Sequence, residues 1–240
     1  MTLLALDHVT VRHGQLTAVN DLSLDLPDGT TLAVIGANGA GKTTLLRAIA
    51  GTLTPADGTI TYDGNDITRM PAHRRAGNGI RLVPEGRRLF PSLTVAENLL
   101  AGAYRRRSGP WDVDAVIELF PWIGQRRGQS ARSLSGGEQQ AVAIGRALMG
   151  NPRLLLLDEI SLGLSPVAVG QLYQAMPKIL ATGTTVLLVE QDVSQALRIA
   201  DEVLCLLEGK QVLTGKPAEL TSEQIESAYF GLAGARGSGR

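Results

Sequence analysis

The sequence predicts an α/β fold: a mostly parallel sheet core with an N-terminal antiparallel β subdomain and an inserted helical subdomain. Residues 3–26 alternate loosely between apolar and polar side chains, which is typical of antiparallel strands. Leu154–Leu157 and Thr185–Val189 are short apolar runs, as expected for strands buried on both faces of a parallel sheet. Helical periodicity fills residues 86–150, apart from a break at 105–110.

The other elements can be predicted in chain order. A buried strand, Thr31–Ile35, leads through a glycine-rich turn into an apolar helix, Thr43–Ala50, which Gly51 ends. Strands are also predicted at Thr59–Tyr62 and Ile80–Val83, helices at Pro166–Leu180 and Ser194–Ala200, and a closing hairpin at Val203–Leu207 and Gln211–Leu213. We expect residues 234–240 to form a disordered tail.

The composition is that of an ordinary globular domain, with 44% hydrophobic and 19% charged residues among 240. No apolar run approaches the roughly 18 residues that a membrane-spanning helix needs. The N-terminus lacks the features of a signal peptide. Cys205 is the only cysteine, so an internal disulfide is excluded and a reducing cytoplasm is the expected compartment.

The net charge is zero but is unevenly distributed. Residues 69–132 contain twelve arginines, no lysine and five acidic residues, so this segment carries +7 and the remainder −7. The segment is either a solvated surface or a face for a polar or anionic partner, such as a partner's loop or the membrane surface. The aromatic residues of this segment do not alternate with its arginines as in a surface that stacks single-stranded bases, so nucleic acid is not an expected partner.

One glycine-rich segment predicts nucleotide binding. The residues Gly36, Ala37, Asn38, Gly39, Ala40, Gly41, Lys42 and Thr43 match the P-loop pattern G-x-x-x-x-G-K-[ST], between a predicted strand and a predicted helix. Glycines allow successive N–H groups to face phosphates, and the helix N-terminus favours negative charge. Lys42 is expected to reach the β- and γ-phosphates of ATP, and the Thr43 hydroxyl to bind Mg²⁺. We also expect Thr44 to bind the nucleotide. We expect the mostly parallel core to be RecA-like.

Two carboxylates follow the apolar strand Leu154–Leu157. Asp158 and Glu159 are expected at the carboxyl edge of the sheet, where open α/β folds bind ligands. Asp158 can hold Mg²⁺ through water. Glu159 is a candidate general base that orients or deprotonates the attacking water. The alternative interpretation of such a pair, a helix N-cap, is weakened by the P-loop in the same chain.

A third segment, Leu134–Gln140, has two interpretations. Ser135 and Glu138 match a capping box that starts a helix. This leaves Gly136 and Gly137 unexplained, because glycine in a first turn costs helix stability. Two exposed N–H groups at a helix N-terminus can bind an anion. We therefore predict a second phosphate-binding surface, formed by Ser135, Gly136, Gly137 and Glu138, for the nucleotide of another subunit.

The motifs Gly36–Thr43, Leu134–Gln140 and Leu154–Glu159, in this order and spacing, resemble the ATP-binding subunit of ABC transporters over essentially the whole chain. Leu134–Gln140 is the most specific of them, because other P-loop classes lack it. The resemblance implies ATP hydrolysis coupled to transport, and a head-to-tail dimer in which this segment closes on the γ-phosphate held by the other subunit.

The same resemblance implies a domain organisation. Residues 1–240 form a single ABC nucleotide-binding domain. The nucleotide-binding core with its antiparallel region takes residues 1–85 plus 151–233, and the helical signature subdomain takes 86–150.

A narrower resemblance is to the second ATPase subunit of branched-chain amino acid importers. It is carried by the segments 82–91, 94–99 and 161–166, by Val189-Glu190-Gln191 and by Ser227–Gly231. The resemblance implies two different ATPase subunits beneath two membrane permeases, at the cytoplasmic face of the cell membrane, and a solute-binding protein that delivers the cargo. In that family, the segment Glu85–Pro91 and the helical insertion receive a permease loop.

Several positions differ from the general ABC pattern: Ser165 stands in place of an aspartate and Ile160 in place of a proline, and three more concern the nucleotide. Glu85 stands where most members have a glutamine that contacts Mg²⁺, and a carboxylate can serve as that ligand. Gln191 stands where a histidine steadies the γ-phosphate; glutamine can donate a hydrogen bond but carries no charge. This leaves open whether the site built on this P-loop is the slower of two. His13 stands where an aromatic residue stacks on adenine.

Other classes remain as alternatives. One is a related importer of urea or another small amide. A second is an ABC ATPase clamp on nucleic acid or a ribosome, although the chain has one cassette and no sustained heptads. A P-loop kinase or GTPase would leave Leu134–Gln140 unexplained. The sequence does not determine the cargo, the direction of transport, or whether the dimer is a homodimer or a heterodimer.

Overall fold

The structure is a computed structural model that describes residues 1–232. The predicted tail at 234–240 lies outside the described residues. The chain folds as two compact units. Of the described residues, one unit contains 1–71 and 187–232, and the other contains 72–186. The predicted subdomain boundaries, 1–85 plus 151–233 and 86–150, remain a prediction.

The first unit contains an antiparallel sheet. Its strands are β1 (Thr2–His13), β2 (Leu16–Pro27), β4 (Asp57–Tyr62) and β5 (Asn65–Asp66), in the order β2-β1-β4-β5. β1 pairs antiparallel with both β2 and β4. The strands are therefore antiparallel as predicted, but the burial of β1 does not alternate strictly: Leu3 and Leu4 are both buried, and so are Val9, Thr10 and Val11. The antiparallel N-terminal region is therefore confirmed.

The first unit also contains the strand that leads into the P-loop. β3 (Thr31–Ile35) is buried at every position and pairs in parallel with β9 (Glu202–Leu207), which pairs antiparallel with β10 (Lys210–Gly215). The helices of this unit are α1 (Lys42–Ala50), α8 (Val193–Ile199) and α9 (Ser222–Phe230). Gly51 ends α1 in the left-handed conformation, as predicted. Helix α9 was not predicted.

The second unit is mainly helical around two parallel strands, β6 (Ile80–Val83) and β7 (Leu154–Asp158). Its helices are α2 (Ala72–Gly77), α3 (Val95–Gly102), α4 (Val113–Leu119), α5 (Trp122–Arg126), α6 (Gly136–Leu148) and α7 (Pro166–Leu180). Strand β8 (Thr185–Glu190) begins in this unit and ends in the first. The predicted fold class, a mostly parallel core with a helical insertion, is confirmed.

Candidate functional site

The predicted P-loop lies between β3 and α1, and the backbone around it explains its glycines. Gly36, Gly39 and Gly41 have φ values of 153°, 82° and 100°, which side chains of L-residues rarely allow. A Cβ atom at Gly36 would lie closer than 3.0 Å to the Leu206 carbonyl oxygen. A Cβ atom at Gly41 would meet the Ala18 carbonyl oxygen in the same way. Glycine is thus required at both ends of the loop by conformation and by space.

Lys42 places a positive charge inside this loop. Its side chain is buried, and its Nζ donates to the carbonyl oxygens of Gly36 at 2.7 Å and Ala37 at 3.1 Å. Gly41, the N-cap of α1, has no side chain with which to cap the first turn. The ammonium group and the positive end of the helix dipole therefore act in the same place, which suits a phosphate chain.

Two further predicted residues lie in the same unit. His13 is the exposed last residue of β1, and its Nε2 lies 3.2 Å from the Thr44 hydroxyl on the first turn of α1. Gln191 follows the buried strand β8 and precedes Asp192, whose carboxylate accepts hydrogen bonds from Ser194 N and Gln195 N to cap α8. A buried strand on one side and a capped helix on the other fix the chain at Gln191.

The predicted carboxylates lie at one edge of the second unit's strands. Val83 pairs with Leu157 in parallel register, so Asp158, the last residue of β7, and Glu85, two residues after β6, lie at neighbouring strand ends. Asp158 is buried and Glu85 is exposed. Glu159 adopts φ 48°, a left-handed conformation that costs of order 1–3 kcal/mol and is concentrated at functional sites. The carboxylates of Glu85 and Asp158 are hard oxygen donors, which fits Mg²⁺.

The segment Leu134–Gln140 forms the start of α6, and the predicted capping box is present. Ser135 N donates to Glu138 Oε2 at 2.8 Å, and Glu138 N donates to Ser135 Oγ at 3.4 Å. The other carboxylate oxygen of Glu138 accepts from Arg126 at 2.6 Å. Glu138 therefore orients the helix start, and the N–H groups of the two glycines are left as the candidate anion-binding groups.

Packing adds a second reason for these glycines, which the sequence did not reveal. A Cβ atom at Gly137 would lie 2.5 Å from the Ala168 Cβ on α7. A Cβ atom at Gly136 would lie 2.9 Å from a guanidinium nitrogen of Arg87. The close approach of α7 and of Arg87 requires small residues here, whether or not a phosphate binds.

The segment Glu85–Pro91, which follows β6, has an unusual backbone. Gly86, Arg87 and Arg88 are consecutive residues with positive φ values of 74°, 66° and 49°. Side chains outside the segment hold this conformation. Arg146 on α6 donates to the carbonyl oxygens of Arg88 at 2.8 Å and Arg87 at 3.2 Å, and its guanidinium lies 5.5 Å from the centroid of the Phe90 ring.

Asn98 on α3 is the second support of this segment. It is completely buried; its Oδ1 accepts from Phe90 N at 2.9 Å and its Nδ2 donates to Phe90 O at 3.1 Å. The same Nδ2 also donates to Thr94 O at 3.0 Å. Sequence reasoning assigned no role to Asn98 or Arg146. Phe90 itself is half exposed, and Leu100 and Tyr104 are more exposed than Phe90.

Comparison with known proteins decides the family. The family model described as ABC transporter matches residues 19–161, more than half of the chain. The chain belongs to the ABC transporter family. It is an ABC ATPase, as the three motifs predicted.

Similar proteins cover nearly the whole chain. BraG, the high-affinity branched-chain amino acid transport ATP-binding protein of Pseudomonas aeruginosa, is 43% identical over 95% of this chain and 100% of its own length. The probable branched-chain amino acid transport ATP-binding protein LivF of Archaeoglobus fulgidus is 34% identical over 91% and 94%. The lipopolysaccharide export system ATP-binding protein LptB of Haemophilus influenzae is 32% identical over 96% and 98%.

Solved ABC cassettes share the fold. MJ1267 in its ADP conformation is 25% identical, with a TM-score of 0.80 over 95% of this chain and 94% of that chain. The dimeric cassette MJ0796 is 24% identical, with a TM-score of 0.78 over 90% and 99%. The first of these was solved with ADP and the second as a dimer. Within residues 1–232, no helix combines the length and the apolarity that crossing a membrane requires.

Proposed function

We propose that this ABC ATPase is one of two ATPase subunits that drive the import of branched-chain amino acids. The similarity to BraG, which extends over that protein's whole length, carries the proposal. The partners are a second ATPase subunit, two membrane permease subunits at whose cytoplasmic face the chain is bound, and indirectly a solute-binding protein. The residues that bind the transported amino acid belong to those partners, since the motifs of this chain are those of ATP binding.

ATP binding is assigned to the first unit's residues. The N–H groups of Gly36–Thr43 and the Lys42 ammonium hold the β- and γ-phosphates, because both are fixed donors in a loop that glycines keep open. The His13 ring stacks on adenine next to Thr44. The Gln191 amide donates a hydrogen bond to the γ-phosphate.

Hydrolysis is assigned to Glu159. Its carboxylate orients a water molecule and accepts a proton from it as the water oxygen attacks the γ-phosphorus, and the bond from that phosphorus to the bridging oxygen of ADP breaks. Glu85 and Asp158 of the second unit are the candidate carboxylate ligands of Mg²⁺, and the Thr43 hydroxyl is the candidate ligand in the first unit; the ion, when bound, would neutralise charge on the phosphates. Ser135, Gly136 and Gly137 close on the γ-phosphate of the partner ATPase through the N–H groups at the start of α6.

Transfer of the ATP-driven motion to the permeases is assigned to Glu85–Pro91. Asn98 and Arg146 hold this segment, and Phe90 presents half of its surface to solvent. An exposed aromatic ring on a fixed backbone suits a protein contact, because the ring brings apolar area with little entropy left to lose.

The test is Glu159→Gln in the assembled transporter, with permeases and second ATPase co-expressed from neighbouring genes. Removing the base should slow hydrolysis by about 10²–10⁴-fold while ATP binding is retained, and the ATP-bound dimer should accumulate in sedimentation. Glu226→Gln, which changes an exposed carboxylate on α9, is the matched control. Wild-type hydrolysis by Glu159→Gln would refute the assignment of the base.

The cargo is tested separately in proteoliposomes that contain the solute-binding protein. We expect ATP-dependent accumulation of leucine, isoleucine or valine. Accumulation of urea in place of these amino acids would refute the cargo but keep the ATPase assignment. Failure to co-purify with permeases would refute the role in transport.

A further inference from the structure

The turn between β9 and β10 lies against the P-loop. It consists of Glu208 and Gly209, whose φ values of 49° and 77° are those of a two-residue hairpin turn. Gly209 N donates to the Ala40 carbonyl oxygen at 3.0 Å, and Asn20 N donates to the Gly209 carbonyl oxygen at 2.8 Å. One residue of the turn therefore joins the phosphate loop to strand β2.

The bond to Ala40 has a consequence for the next residue of the loop. The C=O of Ala40 and the N–H of Gly41 belong to the same planar trans peptide, so they point in opposite directions. Holding the Ala40 oxygen against the Gly209 N–H therefore turns the Gly41 N–H to the other side. An anion binds where N–H groups converge and is repelled by carbonyl oxygens, so the orientation of this peptide determines what the loop offers to phosphate.

The space around the turn accommodates only glycine at position 209. A Cβ atom at Gly209 would lie 2.7 Å from Ala18 O, 3.0 Å from Ala18 C and 3.2 Å from Val19 Cα, which are all backbone atoms. A Cβ atom at Gly41 would also be too close to the Ala18 oxygen. The phosphate loop, β2 and the β9–β10 turn thus meet at Ala18. A displacement of the backbone of one of them would therefore displace another.

We propose that the Glu208–Gly209 turn is a brace for the P-loop, and that Gly209 is a positioning residue which sets the Ala40–Gly41 peptide and hence the affinity for ATP. The inference rests on the proposed binding of ATP by this loop. A residue at Gly209 with a side chain would displace the turn from Ala40 and free that peptide to rotate.

The chain contains a matched control in another hairpin turn of the same conformation. Asp63 and Gly64, between β4 and β5, have φ values of 50° and 73°. A Cβ atom at Gly64 would have no neighbour within 4 Å. Gly209→Ala and Gly64→Ala therefore impose the same left-handed strain, but only the first disturbs a contact with the P-loop.

The experiment compares both variants with the wild-type protein by ATP titration, steady-state ATPase kinetics and the ¹H–¹⁵N signal of Gly41. Gly209→Ala should bind ATP about tenfold more weakly, raise KM by more than it lowers kcat, and shift the Gly41 amide signal. Gly64→Ala should match the wild-type protein in all three. ATP affinity and a Gly41 signal that are equal in the two variants would overturn the proposal.

Hydrogen exchange in the wild-type protein tests the brace without a substitution, and covers the case in which Gly209→Ala does not fold. The Gly209 amide should exchange slowly, and more slowly with ATP bound. Fast exchange of Gly209 in the ATP complex would overturn the brace. If the wild-type protein does not bind ATP at all, the proposed function fails; if it binds ATP and the two variants bind it equally, only the brace fails.

Discussion

Asn98→Ala should loosen the segment Glu85–Pro91 while leaving α3 intact. Asn98 lies inside the helix and is completely buried. Alanine is the residue with the best helix propensity, so the helix itself does not suffer. What is lost is the side-chain amide, which holds both backbone groups of Phe90.

The size of the effect follows from the bonds that are lost. An amide side chain has one acceptor oxygen and two donor hydrogens, and the three short contacts of Asn98, to Phe90 N, Phe90 O and Thr94 O, use all of them. At about 1 kcal/mol for each net hydrogen bond, the loss is about 3 kcal/mol. For a chain of this size that is a decrease in Tm of roughly 6–12 °C. Because Phe90 is half exposed and its freed groups can bind water, we expect the lower end of the range.

The assay is thermal unfolding followed by circular dichroism, with Asn65→Ala as control. Asn65 is exposed and its side chain makes one described bond, to Asp63 O at 2.9 Å. Its replacement should change Tm by no more than about 2 °C, in line with surface substitutions generally. In reconstituted transporters, Asn98→Ala should also lower uptake per ATP hydrolysed. A Tm equal to that of Asn65→Ala would refute the bond-counting argument.

Two further predictions concern packing and protonation. Gly102→Ala should destabilise the protein, because a Cβ atom there would clash with the Arg146 carbonyl oxygen. Gly170 lies within helix α7 and a Cβ atom there would have no neighbour within 4 Å, so Gly170→Ala should stabilise the protein by about 0.5–1 kcal/mol. Urea unfolding of both variants checks the two signs. The hydrogen bond with Asp21 raises the pKa of His8 above 6.5, so this pair stabilises the fold fully below pH 6.5 and the contribution is lost as the pH rises through the folded-state value. NMR titration should show the pKa of His8 lowered in Asp21→Asn, and an unchanged titration would refute the assigned cause.

The helix after the P-loop and helix α7 could be predicted closely because their determinants are local. The predicted helix Thr43–Ala50 differs from α1 by one residue, and Pro166–Leu180 matches the bounds of α7. Glycine at a stop position and a capping box act through neighbouring backbone, so the sequence contains the whole signal.

The helices that were not predicted either lack a periodic pattern of apolar residues or are indicated only by weaker sequence signals. Helix α2 has six residues, and its buried residue is Arg75, which a sequence pattern assigns to the surface. The capping box of Thr221 and Gln224 and the terminal Gly231 could have revealed α9. The left-handed conformation of Glu159 and the bond from Gly209 to Ala40 depend on tertiary packing, so no local pattern predicts them.

The pairing of β3 with β9 also means that, during synthesis, β3 leaves the ribosome long before its partner strand exists. Ile35 lies beside Cys205, and Thr31 N donates to Asp201 at 2.8 Å across 170 residues of sequence. At about 5–20 residues per second, the ribosome needs roughly 10–30 s to supply that partner. During this interval β3, which is buried at every position in the folded protein, has an unpaired edge. The emerging chain should therefore depend on chaperones until the end of β9 leaves the ribosome, and nascent chains that stop before Glu202 should aggregate.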